Sequence, residues 1–175
     1  IHSAGPLNDP QSRNRAALVA HPWTVPNNVA GSVAAAATFA ARVTYATYGQ
    51  VGAIGTTSFN SETGSLLAAA TYKRHSALGP GGLGAIYRVT NALNATGNPN
   101  SAADPVEMWL DVVALGINVG QGQILSNADR KFVSVMTTQA ELNAFANAGK
   151  VGIGGMAIDA ANDVLYFVNL FDKKI

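Results

Sequence analysis

One stretch of this chain is written twice, and that restricts its fold more than any other feature. From Val51 it reads VGAIGTTSFNSETGSLLAAATYKRH, and from Val151 it reads VGIGGMAIDAANDVLYFVNLFDKK. Val-Gly lies over Val-Gly, Gly55 over Gly155, and TTSF over MAID. With one gap at Gly64, LLAAATY lies over LYFVNLF and KRH over DKK. Both copies follow one order: a Gly-rich opening, a short apolar segment, a polar turn of Asn, Asp, Glu or Gly, and a second apolar segment. That order is the signature of a β-hairpin. It predicts antiparallel pairing of Gly55 to Phe59 with Ser65 to Thr71, and of Gly155 to Asp159 with Val164 to Leu170. Internal repetition of this kind has to be read before any single element, because it decides the architecture.

The first copy continues through SALGPGGLG, a Gly/Pro loop that suits neither helix nor regular strand, into AIYRV, which alternates as a half-buried strand does. With that loop deleted, Ile86 falls opposite Ile175. The expectation is that the chain stops one residue into a third strand of its second unit, as a fragment or a processed product. VEMWLDVVAL reads as the fourth strand of the first unit, after the linker-like NATGNPNSAADP. AALVAHPWTV is a candidate edge strand interrupted at Pro22, and RKFVSVM another short strand. GSVAAAATFAARV is ambiguous, Ala favouring helix and the following VTYATY favouring strand. One short helix is expected near 138–148, within TTQAELNAFANAGK. Thr137 or Thr138 would be its N-cap, Glu141 would complete a capping box with Thr138, Leu142 and Phe145 would share a face, and Gly149 would be its C-cap. Three regions result: 1–50 with an edge strand and an Ala-rich stretch, 51–150 as the first unit with insertions, and 151–175 as a shortened second unit.

Composition fits a β-rich, loop-rich protein. Of 175 residues, 48% are hydrophobic and only 12% charged, with 18 Gly, 7 Pro and a formal net charge of +1, so neither a disordered polyelectrolyte nor a nucleic-acid binder is suggested. The absence of Cys excludes disulfides, thiolate metal sites and thiol nucleophiles. No uncharged apolar run reaches the roughly 18–20 residues that span a bilayer. The chain opens IHSAGPLNDP, without an initiator Met or a basic segment followed by an apolar one. The expectation is a removed leader or a start within a longer protein.

Two stretches resemble a family of bacterial β-propeller-type repeat proteins found in large secreted or cell-surface polypeptides. GAIGTTSFNSETGSLLAAATYKRHSALGPGGLGAIYRV is similar to that family's Gly-rich strand, AAxxKRH segment and GPxGxGAIY run. GKVGIGGMAIDAANDVLYFVNLFDKKI is similar to its GKVGxGD opening and LYxVNL strand. The resemblance implies four-stranded antiparallel blades around a channel, of which this chain would supply about two, an incomplete propeller. Secretion or display at a bacterial cell surface follows from the resemblance together with the composition. Gly155 stands where such motifs often carry Asp, which removes any polar role from that position.

Candidate chemistry is sparse. Lys73, Arg74 and His75 form the densest titratable cluster, and Arg74 and His75 could meet a carboxylate, phosphate or sugar; the simpler reading is that they fasten the following loop. As a strand, this segment would turn Lys73 and His75 to one face and Arg74 to the other. GPGGLG lacks the Lys-Ser/Thr ending of a phosphate loop and precedes a strand, so loop geometry explains it better. His2, His21 and His75 have no metal-ligand spacing. Asp159, Asn162 and Asp163 read as a β-turn rather than a calcium loop, and Asp104, Glu107 and Asp111 have no apolar neighbours of the kind an acid catalyst needs. Asn94 begins a glycosylation sequon, and Trp23 and Trp109 are lone aromatics suited to packing or to a sugar face. No catalytic residue, metal site or cofactor is expected.

The expected function is therefore a non-enzymatic structural or ligand-binding module of a secreted or cell-surface propeller. The alternatives are a piece of a metal-dependent propeller hydrolase or lactonase and a self-assembling surface or filament subunit. The segment Leu165, Tyr166, Phe167, Val168, Asn169, Leu170 and Phe171 carries no charge to discourage pairing. It is expected to serve as an assembly edge for blades from another chain, another copy or a further part of the protein.

Overall fold

The computed structural model describes residues 9–22, 42–130, 132 and 139–175. The chain is mostly antiparallel β, and the described residues form three sheets. β1 (Ala16–Ala20) and β2 (Val43–Thr47) form sheet 1; β3 (Ile54–Asn60), β4 (Ser65–Ala70), β5 (Ala85–Val89) and β6 (Glu107–Asp111) form sheet 2 in that order; β7 (Ile153–Asp159) and β8 (Val164–Asn169) form sheet 3. Helices are few: α1 (Pro10–Arg13), α2 (Tyr48–Val51) and α3 (Gln139–Asn147). Among the described residues the sheets close into neither a ring nor a barrel. No helix among them is long and apolar enough to cross a membrane.

The two hairpins anticipated from the repeat are β3–β4 and β7–β8. Their equivalence runs deeper than the alignment, and it moves the gap. Asn60 pairs with Ser65 and Asp159 with Val164, so each turn contains four residues. Asn60 Oδ1 accepts from the Glu62 and Thr63 N–H groups at 3.0 and 3.1 Å, and Asp159 Oδ1 accepts from the Asn162 N–H at 3.2 Å. Gly64 and Asp163 close the turns with φ of 65° and 53°, the left-handed region that Gly enters freely and Asp tolerates. Gly64 thus has a counterpart. The single extra residue of the first copy lies instead between Gly52 and Ile54, at Ala53. Each hairpin also slips register just after its first pair, between Ile54 and Thr56 and between Ile153 and Met156, at a glycine.

A second likeness joins β1–β2 to β5–β6. In the first pair the register slips where Leu18 faces Ala46 and Val19 faces Thr44, leaving Tyr45 extra, and slips again between Ala16 and Leu18, leaving Ala17 extra on β1. In the second it slips where Ile86 faces Leu110 and Tyr87 faces Met108, leaving Trp109 extra. Both are bulges with an aromatic as the unpaired residue. Along the chain, pairs with an aromatic bulge (β1–β2 and β5–β6) alternate with pairs that share a four-residue turn and a glycine bulge (β3–β4 and β7–β8).

The sheets stack face to face with sheet 2 in the middle. Successive residues of a strand point to opposite faces. Ala68, Ala70, Ala85, Tyr87 and Val89 accordingly pack with Leu18, Tyr45 and Ala46 of sheet 1, while Leu67, Ala69 and Ile86 pack towards Met156, Ile158, Leu165 and Phe167 of sheet 3. Val112, Val119, Ala144 and Val151, from the chain between β6 and β7, close the second core.

The short helix expected near 138–148 is α3, Gln139–Asn147. Leu142 and Phe145 are 45% and 62% exposed, whereas Ala144 is buried. α3 docks through that small residue and through Asn143 and Asn147, whose amides both donate to the Gln123 carbonyl at 3.1 and 3.0 Å. Gly149, at φ 75°, ends the helix as anticipated. Tyr48 leaves the VTYATY strand to begin α2, where Gln50 Oε1 accepts from the Thr47 N–H at 2.8 Å. Thr137, Thr138, Trp23, His2, most of RKFVSVM and most of the Ala-rich stretch lie outside the described residues.

Three buried phenols give a pH prediction. Burial raises Tyr45, Tyr48 and Tyr87 above the ordinary value of 10.0. A folded-state pKa above the unfolded one means that the unfolded chain releases these protons first. Their contribution is intact below about pH 10 and is lost as pH rises through the folded values. Titration followed by phenolate absorbance and circular dichroism should show these ionisations coinciding with loss of β structure. Complete ionisation near pH 10 with the fold intact would contradict this.

Candidate functional site

Lys73, Arg74 and His75 do not form a strand. Lys73 bridges Ser76 across a tight turn, with Arg74 and His75 at its tip. Lys73 Nζ donates to the Ile54 carbonyl at 2.8 Å, tying the turn to the start of β3. His75 is half-buried, and its Nδ1 has no hydrogen-bond partner.

What holds this turn is a residue that the sequence reading passed over. Arg130 is 4% exposed, and its guanidinium donates to the carbonyls of Ser76 at 3.0 Å, Arg74 at 2.9 Å and Lys73. Its carbon lies over the rings of both Tyr72 and Phe132, 4.5 Å from each ring centre. A planar group with a fork of five donors fits three converging carbonyls, and stacking offsets part of its desolvation. Asn127 extends the clamp: its Oδ1 accepts from the Leu78 N–H at 2.9 Å and its Nδ2 donates to the Leu78 carbonyl at 2.7 Å. On the other side the Tyr48 hydroxyl accepts from the Ala77 N–H.

SALGPGGLG is a packed loop in which Ala77, Leu78, Gly79, Leu83 and Gly84 are buried. A Cβ at Gly79 would lie 2.4 Å from the Val51 carbonyl oxygen and 2.6 Å from the Tyr87 hydroxyl. Close approach of backbone explains that glycine, as loop geometry anticipated, and Tyr87 Oη accepts from the Gly81 N–H at 3.2 Å.

The carboxylates serve separate local duties. Asp104 accepts from Thr90 and from Asn91 Nδ2, Glu107 pairs with Arg88 at 2.6 Å, and Asp111 Oδ1 accepts from the Val113 N–H at 2.9 Å. Asp159 engages Asn162 within its turn. Among the described residues no group of three His, Asp or Glu side chains is placed to hold a metal. Asn94 organises its own loop, accepting from Thr96 and Asn98.

A cleft of ≈ 170 Å³ opens between the outer half of sheet 2 and sheet 3, lined by Asn60, Leu67, Arg88, Trp109, Ile158 and Asp163 among others. Trp109 is 40% exposed there, with the Arg88 guanidinium 5.6 Å from its ring centre. Beside this cleft runs the outer edge of β8. The strand is shorter than anticipated, because Leu170 and Phe171 leave it in a turn: Phe171 N–H donates to Asn169 Oδ1 at 3.0 Å, and Lys173 has φ 61°. The chain then doubles back. The Asn169 N–H donates to the Lys174 carbonyl at 2.8 Å, so Lys174 occupies one rung of the β8 edge. Asn169 itself is buried, its amide donating to the Asn118 carbonyl at 2.9 Å.

Comparisons with protein-family models, curated proteins and solved structures found no match to this chain.

Proposed function

We propose that this chain is a non-enzymatic structural or ligand-binding module built from propeller-type blades, serving in a secreted or cell-surface protein. The supporting observation is the repetition itself. Both first-half pairs carry the same four-residue turn and glycine bulge, both second-half pairs carry the same aromatic bulge, and the pairs stack face to face. In that arrangement the sheets are blades and the face-to-face cores are blade interfaces. The polar cluster at Lys73 to His75 supports a structural duty, because its carbonyls are clamped by Arg130 and its lysine is bound to the Ile54 carbonyl. The deciding experiment is metal analysis of the purified chain with thermal unfolding before and after chelation. No stoichiometric divalent ion and no shift in Tm are expected. A bound ion whose removal abolishes a hydrolytic activity would replace this reading with a metal-dependent propeller hydrolase.

A further inference from the structure

Sheets 1 and 3 are complementary halves. β7–β8 has the turn and glycine bulge of β3–β4, and β1–β2 has the aromatic bulge of β5–β6. Sheet 2, which holds both pairs, shows how they join: β4 lies antiparallel to β5, with Leu67 opposite Arg88, Ala68 opposite Tyr87 and Ala69 opposite Ile86. We propose that a second copy of this chain lays its β1 against the outer edge of β8, completing a four-stranded sheet β7–β8–β1–β2 across the junction. The proposal rests on the reading of the sheets as repeated units. Transferring the sheet 2 register sets Tyr166 opposite Ala20, Phe167 opposite Val19 and Val168 opposite Leu18 of the second copy.

The side chains suit that junction. Neither β8 nor β1 contains a charged residue, so no charge within the strands opposes edge-to-edge pairing. Sheet 2 meets sheet 1 through its second-half strands as well as its first, but sheet 3 covers chiefly its first half. The cleft beside Trp109 is what remains open. A β1–β2 pair beside β8 would lie over that cleft, and the half-exposed Val19 would turn into it. The far face of sheet 3, where Tyr166 is 49% exposed beside Gly155, Ala157, Val168 and Ile175, corresponds position by position to the sheet 2 face that sheet 3 covers. In the joined arrangement it would meet sheet 2 of the second copy. The contact is head-to-tail and therefore heterologous, so it builds either a closed ring or an open chain of copies. Lys174 holds the rung beside Asn169, next to the junction, so it has to swing aside.

The absence of cysteine makes the register directly testable. Directly opposed residues on antiparallel strands have Cα atoms close enough for a disulfide. Y166C and A20C are prepared separately, mixed, and oxidised, with amide exchange of sheet 2 recorded on the same samples. The expected result is a disulfide-linked heterodimer in the mixture and almost none in either variant alone. Cross-linking should be several-fold faster when Lys174 and Ile175 are removed. A Y166C homodimer would show β8 pairing with itself and overturn the proposal. So would a sedimenting monomer without cross-links, with sheet 2 still protected, which would leave the repeat reading intact. Rapid exchange throughout sheet 2 would instead remove the repeat reading and the proposal with it.

Discussion

Replacing Arg130 with alanine is expected to lower stability by about 2–4 kcal/mol, because three part-buried carbonyls lose hydrogen bonds from one cation. The carbonyls of Lys73, Arg74 and Ser76 would lose their shared donor, and a buried acceptor left without a partner costs about 1–3 kcal/mol. Tyr72 and Phe132 would lose the cation over their rings. Lysine should recover only part of the loss, because a single ammonium cannot span three carbonyls in a plane or stack on two rings. Urea unfolding of the three proteins measures this directly, and the slope of the transition should hold while its midpoint falls. An alanine variant with an unchanged midpoint would mean that the turn is held by Lys73, Asn127 and Tyr48 without it. By contrast His75→Ala should change the midpoint little, since His75 Nδ1 has no hydrogen bond to lose.

Why Arg130 escaped notice in the sequence is a matter of what it binds. Its partners are backbone carbonyls, and every residue has one, so no side-chain pattern announces the contact. The Lys73 to His75 cluster drew attention by its charges, yet its main structural contribution is the carbonyls it presents. The hairpins were legible because each turn needs particular chemistry: a side-chain acceptor at Asn60 or Asp159 and a residue tolerant of positive φ at Gly64 or Asp163. Letter matching nonetheless set Gly64 against a gap, since glycine and aspartate look unrelated until the backbone shows them in one conformation. The bulges at Tyr45 and Trp109 had no such mark. A bulge is a difference in count between two strands, visible only when their register is known. α3 was legible as a helix from its periodicity, but not the way it docks: Leu142 and Phe145 share an exposed face, while Ala144 and the two asparagines that reach Gln123 make the contact.

The glycines at the two Val-Gly openings look interchangeable in sequence and should not be so in energy. Gly52 has φ 64° and ψ −145°, a conformation that belongs almost wholly to glycine and costs other residues about 1–3 kcal/mol. A Cβ there would sit 2.0 Å from the Gly79 nitrogen and 2.6 Å from the Leu78 carbonyl carbon, backbone that cannot turn aside. Gly152 has φ 88°, but the nearest atom to its added carbon is Leu83 Cδ1 at 2.9 Å, the end of a side chain with other rotamers. Gly52→Ala is therefore expected to cost about 3–5 kcal/mol, summing backbone strain and overpacking. Gly152→Ala should cost about 1–2 kcal/mol, mainly the left-handed backbone. Denaturant midpoints measured side by side give the comparison. Because Gly52 also bridges Leu78, the first variant should in addition speed amide exchange at Ala77 and Leu78, within the segment clamped by Arg130 and Asn127. Equal losses at the two sites would show that the loop 77–84 yields easily, and that its packing against Val51 and Tyr87 contributes little to holding the first unit together.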